Sequence, residues 1–191
     1  MVERRHAAGR GDTANRQPTH LLTQEDLKRS LCPLLTPATV IVCVGSELHG
    51  DDAAGVVIGR ELANWAPWPV IQAGLAPESF VVKIANLRPN RVIVIDAADF
   101  AGPPGAVALI NADCIADAAA STHGPNPTLF LEALRQMHSC DAILLGIQPL
   151  TTRTEDDLSS PVRQAVTRVV GAFCALAAAR GPKHLKGTGP E

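Results

Sequence analysis

Three stretches of this chain are apolar at every position: Val40-Ile-Val-Cys-Val44, Val92-Ile-Val-Ile95 and Ala142-Ile-Leu-Leu145. A strand with one face in water alternates apolar and polar residues, so a run with no polar position demands cover on both faces. Helix signals fall between these runs. One helix should span about 52–65, stopped by Pro67, and another 79–87, ended by Pro89. A third opens at Pro125 and runs to about Met137. The last starts with Ser160 as N-cap and Pro161 at the first helical position. Its apolar residues Val162, Val166, Val169, Phe173 and Leu176 form one stripe. Shorter strands are expected at 70–72 and 105–110. The alternation predicts an α/β fold with a mostly parallel sheet and helices on both faces.

A length of 191 residues with 46% apolar content suits one such domain and excludes a wholly disordered chain. The two ends read differently. Residues 1–36 form an extension expected to be largely disordered, because Met1 to Thr19 has no apolar period. Within it, Thr23 could cap a short helix with Asp26 at the third helical position. Residues 37–180 carry the fold, and 181–191 read as a tail opening at Gly181-Pro182. A formal charge of −2, four Phe, two Trp and no Tyr argue against nucleic acid as a partner. The apolar run from Val169 to Ala179 is too short to span a bilayer, which needs about 20 residues, so no membrane insertion is expected. Five widely spaced cysteines without a C-x-x-C argue against a disulfide framework and a thiolate zinc site. The expected compartment is the cytoplasm.

In open α/β sheets ligands gather at the carboxyl ends of the strands. Three candidate groups fall there: the loop Gly45-Ser-Glu-Leu-His-Gly-Asp51-Asp52, Asp96 at the end of its apolar strand, and Ser121-Thr-His123 before a helix. One member of the acidic pair can serve as a helix cap. With Asp51 as that cap, Asp52 projects outward and needs another use. Two carboxylates and one imidazole on one face would make an open oxygen and nitrogen site for a divalent ion such as nickel or zinc. Taken singly, each residue also fits a structural role. The loop lacks both dinucleotide and P-loop glycine spacing, and no serine, thiol or H-E-x-x-H protease motif is present.

The stretch Val42-Cys-Val-Gly-Ser-Glu-Leu-His-Gly-Asp-Asp-Ala-Ala-Gly55 resembles the opening signature of the [NiFe]-hydrogenase maturation endopeptidases. The likeness continues through Ala73-Gly-Leu-Ala-Pro-Glu78, Leu87-Arg-Pro89, Val94-Ile-Asp-Ala-Ala-Asp99, Ser121-Thr-His123 and Gly146-Ile-Gln-Pro149. It covers roughly residues 39 to 179 and is greatest to the formate-hydrogenlyase-type branch. Ser46 stands where the family usually has Asn, Ala53 where Gly is common, and residues 150–160 match poorly.

The resemblance implies a three-layer α/β/α sandwich around a five-stranded sheet. It also implies an endopeptidase, of aspartyl type, that removes the C-terminal extension of a nickel-loaded hydrogenase large-subunit precursor and so activates that enzyme. The family's metal-contacting residues map onto Asp52, Asp96 and His123, which would serve as both metal and catalytic groups. Nickel would arrive with the substrate, with no permanent organic cofactor. The alternatives are a metal-sensing chaperone without hydrolytic activity and another metal-dependent hydrolase of the same fold.

Overall fold

The computed structural model describes residues 21–111, 127–154 and 156–180. Its sheet contains β1 (Thr39–Val44), β2 (Val70–Gly74), β3 (Arg91–Ala97), β4 (Val107–Asn111) and β5 (Asp141–Ile147), in the order β2-β1-β3-β5-β4. All neighbours are parallel except β4, which runs antiparallel to β5 at the edge. The mostly parallel five-stranded sheet expected from the apolar runs is therefore present, and the fold class is α/β/α.

Alternate residues of the same strand enter two different cores, which is why those strands carry no polar position. Ile41, Cys43, Ile93, Ile95, Leu145 and Ile147 point to one face. There they meet α1 (Gln24–Leu31), α2 (Ala54–Ala63) and α5 (Ser160–Ala178). Val40, Val42, Val44, Val92, Val94 and Leu144 point the other way, against α3 (Val81–Asn86) and α4 (Pro127–Met137). The stripe of α5 is buried along its length, and Phe173 meets Trp68 edge-on with ring centroids 6.0 Å apart. At the end of α4, His138 donates from Nε2 to the Pro89 carbonyl at 2.8 Å, tying this helix to the turn before β3.

Two expectations change. The extension read as residues 1–36 divides: Leu27, Leu31 and Leu35 are buried in the core beneath α5, so the domain begins before residue 37. The capping box is as the sequence implied. Thr23 Oγ accepts from the Asp26 N–H at 3.2 Å, and the Asp26 carboxylate accepts from the Thr23 N–H at 3.1 Å. The reading of Met1 to Thr19 and of residues 181–191 lies outside the described residues. The second change is at α5, where Ser159 and not Ser160 is the N-cap. Its hydroxyl makes no cap bond, because it is engaged elsewhere. Among the described residues, no helix is long and apolar enough to cross a membrane.

Candidate active site

Strand β1 leads to β2 on one side, while β3 lies on the other. A parallel sheet whose connections depart in opposite directions opens a crevice at the carboxyl ends of the two strands. Asp96 is the penultimate residue of β3, at this point. Asp52 arrives on a 3-10 turn over Gly50–Ala53 that leads directly into α2. Two glycines let that turn come down onto the strand ends. A Cβ on Gly55 would sit 2.1 Å from the Val44 carbonyl oxygen and 2.5 Å from that of Ile95. A Cβ on Gly45 would lie 2.0 Å from the Asp52 carbonyl oxygen, and its φ of +128° lies where L side chains are strained. The sequence thus brings Asp52 to Asp96 by leaving out side chains.

The two carboxyls interact. Asp96 keeps a little accessible surface at the crevice floor but has protein on nearly every side, so burial lifts its pKa to about 8. The Asp52 carboxylate adds to the rise, and the Ala97 backbone N–H opposes it. Asp52 is also raised by burial, and is drawn back by the Ser46 backbone N–H and by His49. Burial and the Asp52 charge together favour the protonated form of Asp96 up to a pH of about 8. A divalent cation, or the proton of a reacting group, relieves that repulsion.

The other acid of the pair does something the sequence did not reveal. Asp51 caps no part of its own helix; it is fully buried and faces the segment after β5. Its Oδ2 accepts from the N–H of Leu150 (2.8 Å), the N–H of Thr151 (3.0 Å) and the Ser159 hydroxyl (2.9 Å). Its Oδ1 accepts from the Ser159 N–H at 2.7 Å. The long-range partner was invisible because nothing local marks it. The adjacent acid was the available signal, and it was assigned to the wrong N–H groups. Gln148, part of the quoted Gly-Ile-Gln-Pro motif, is buried as well. Its Oε1 accepts from the Phe100 and Gly102 N–H groups and its Nε2 donates to Asp99, which orders the loop following β3. Those contacts hold the Asp99 carboxyl below its ordinary range, the Ala101 N–H contributing most.

On the rim of the crevice, Ser46 Oγ accepts from the Leu48 N–H at 3.3 Å and lies 2.8 Å from His49 Nδ1. The serine that departs from the family pattern therefore pairs with the loop histidine. His123, the third expected site residue, lies outside the described residues with Ser121 and Thr122. Among the described residues, no group of three or more His, Cys, Asp or Glu side chains could hold a metal ion.

The model of the family described as hydrogenase maturation protease matches residues 58–176. The chain belongs to the hydrogenase maturation protease family. The chain is 35% identical to the hydrogenase 3 maturation protease of Escherichia coli K12 over 133 residues, 68% of this chain and 85% of that protein. The solution structure of an endopeptidase of this family from Escherichia coli superposes with a TM-score of 0.65 at 31% identity. That match covers 77% of this chain and 94% of the other. The crystal structure of a [NiFe] hydrogenase maturation protease from Thermococcus kodakarensis gives a TM-score of 0.68 at 26% identity, covering 74% and 93%. This hydrogenase maturation protease is accordingly a peptide-bond hydrolase with the fold of its relatives. The family match begins at residue 58, so it contains Asp96 but not Asp52. The place of Asp52 in the site rests on the approach of its turn to β1 and β3.

Proposed function

We propose that this endopeptidase removes the C-terminal extension of a nickel-loaded [NiFe]-hydrogenase large-subunit precursor in the cytoplasm. In this reading the nickel ion carried by the substrate is recognised by Asp52, Asp96 and His123, and the protein keeps no cofactor of its own. The observation that carries it is the pair of carboxyls at the switch point between β1 and β3, with Asp96 shifted to about 8 by burial and by Asp52. Such a pair disfavours its own double negative charge and so favours an arriving cation. The ion sets the neighbouring peptide bond against the carboxyls, one of which holds or accepts a proton while water attacks. Nucleic acid and membrane have no part in this chemistry.

The test incubates the purified protease with nickel-loaded and nickel-free precursor and weighs the products. Loss of one C-terminal peptide from the loaded form alone is the expected result. Cleavage of both forms at equal rates would remove the ion from recognition, and intact mass in both would remove the activity. Titrating nickel, zinc or cadmium into the protease while following histidine NMR shifts tests the ligand set. The His123 resonance should move, and binding should strengthen as pH rises, because protons compete for the same atoms.

A further inference from the structure

Asp51 is a buried carboxyl with no cation against it among the described residues, its four hydrogen bonds coming from residues that follow β5. Burying such a group is costly and is not needed to close a loop. The attachment also runs in the other direction, since the Asp51 N–H donates to the Thr151 carbonyl at 3.0 Å. A Cβ on Gly50 would lie 3.0 Å from that same carbonyl oxygen and 3.3 Å from the Asp156 Cβ, so the segment wraps closely over the turn. Thr151 further bonds Asp156 and the Arg153 N–H, which folds the segment on itself. One residue along the turn is Asp52, whose carbonyl accepts from the Ser46 N–H at 3.3 Å.

We infer that Asp51 is a positioning residue, locking residues 150–154 and 156–159 onto the 50–53 turn so that Asp52 and these residues meet the substrate as one rigid unit. The inference rests on the endopeptidase reading of Asp52. An Asn at position 51 offers a single acceptor oxygen, and its amide nitrogen must face the Ser159 N–H or the three donors on the other side.

The experiment compares wild type, Asp51→Asn and Ser159→Ala as full chains, well below the melting range of each. Per folded molecule, Asp51→Asn should lower kcat for precursor processing by about tenfold or more, with KM changed far less, and Ser159→Ala should fall between it and wild type. A purely structural carboxyl would lower Tm and leave kcat per folded molecule unchanged; that result overturns the inference. Where Asp51→Asn does not fold, an unchanged kcat in folded Ser159→Ala overturns it. Amide hydrogen exchange supplies a readout that needs no substrate. In the folded variants the Ser46 amide should lose protection together with those of Leu150 and Thr151. Loosening of Leu150 and Thr151 with Ser46 unaffected would show the segment uncoupled from Asp52 and likewise refute the inference. A wild type that processes no precursor defeats the proposed function, while the exchange data still decide this point.

Discussion

Replacing Gly55 with Ala tests whether the site depends on the descent of α2 onto the sheet. The added Cβ would lie 2.1 Å from the Val44 oxygen and 2.5 Å from the Ile95 oxygen. Unstrained carbon–oxygen contacts fall near ~3.3 Å, so relief requires the first turn of α2 to recede by about 1 Å. Neither oxygen can yield, since both belong to strand backbone in the sheet centre. Overpacking of this kind costs about 1–3 kcal/mol or more, against about 0.8–1 kcal/mol recovered from the better helix former. The close approach puts the net loss at the upper end of that difference, about 2 kcal/mol, which lowers Tm by about 4–8 °C in a domain this size. The same displacement separates Asp52 from Asp96, and a 1 Å error in a reacting group costs roughly 100-fold in rate. Calorimetry and precursor processing on Gly55→Ala measure both. Gly171→Ala is the control: the three atoms nearest its Cβ all belong to the Gln24 side-chain amide, from 2.6 Å, an exposed group that can swing into water. That variant should hold or gain stability. Unchanged Tm and near-normal processing in Gly55→Ala would refute the account of how the two carboxyls are brought together.

Asp52→Asn should abolish processing while Tm holds or rises, because burial already opposes the charge it removes; normal processing would take Asp52 out of the site. Asp96→Asn, in chelator-treated protein, should gain Tm over wild type as pH climbs. Below about 4 both folded and unfolded Asp96 are protonated and the variant gains nothing. Between there and the folded value of about 8 the unfolded state ionises while the native state keeps its proton, so wild-type stability falls across that window and levels above it. A Tm difference independent of pH would contradict the shift. Finally, Cys43 is buried with its thiol pushed up to about 12, whereas Cys32 and Cys174 are exposed. Maleimide labelling followed by peptide mapping should modify Cys32 and Cys174 in native protein and reach Cys43 only on unfolding.

The sheet was legible because its strands are constrained on both faces at once. Burial on two sides leaves an all-apolar run, and the short length and β-branched content of Val40–Val44 and Val92–Ile95 separate them from a buried helix. The place of Asp96 at the carboxyl end of its strand was legible for the same reason, as the first acid after such a run. Element ends were less so: Ser160 looked like the cap because Pro161 follows it, yet Ser159 occupies that position and spends its hydroxyl on Asp51. The amphipathic α1 was visible through its capping box, but its membership in the core was not. Leu27 and Leu31 are buried by α5, more than a hundred residues away in sequence. Local pattern shows that a face is apolar and says nothing about what covers it.

The adjacent aspartates carry this distinction furthest. From sequence they are equivalent acids at a helix start, and assigning one as a cap appeared to release the other. The structure divides them by their surroundings. Asp51 meets three backbone N–H groups and a hydroxyl, so its burial is offset in full by neutral donors. Asp52 faces a second carboxyl across the crevice, and the backbone gives it too little to offset its burial. A chain gains no stability from holding two carboxyls in that arrangement, so other contacts must sustain it. Gly45 and Gly55 remove the side chains that would keep the turn away from the strands, and Asp51 anchors the turn from its far side. The cost of holding the two acids together is thus met by neighbours outside the pair, the two glycines and the Asp51 anchor.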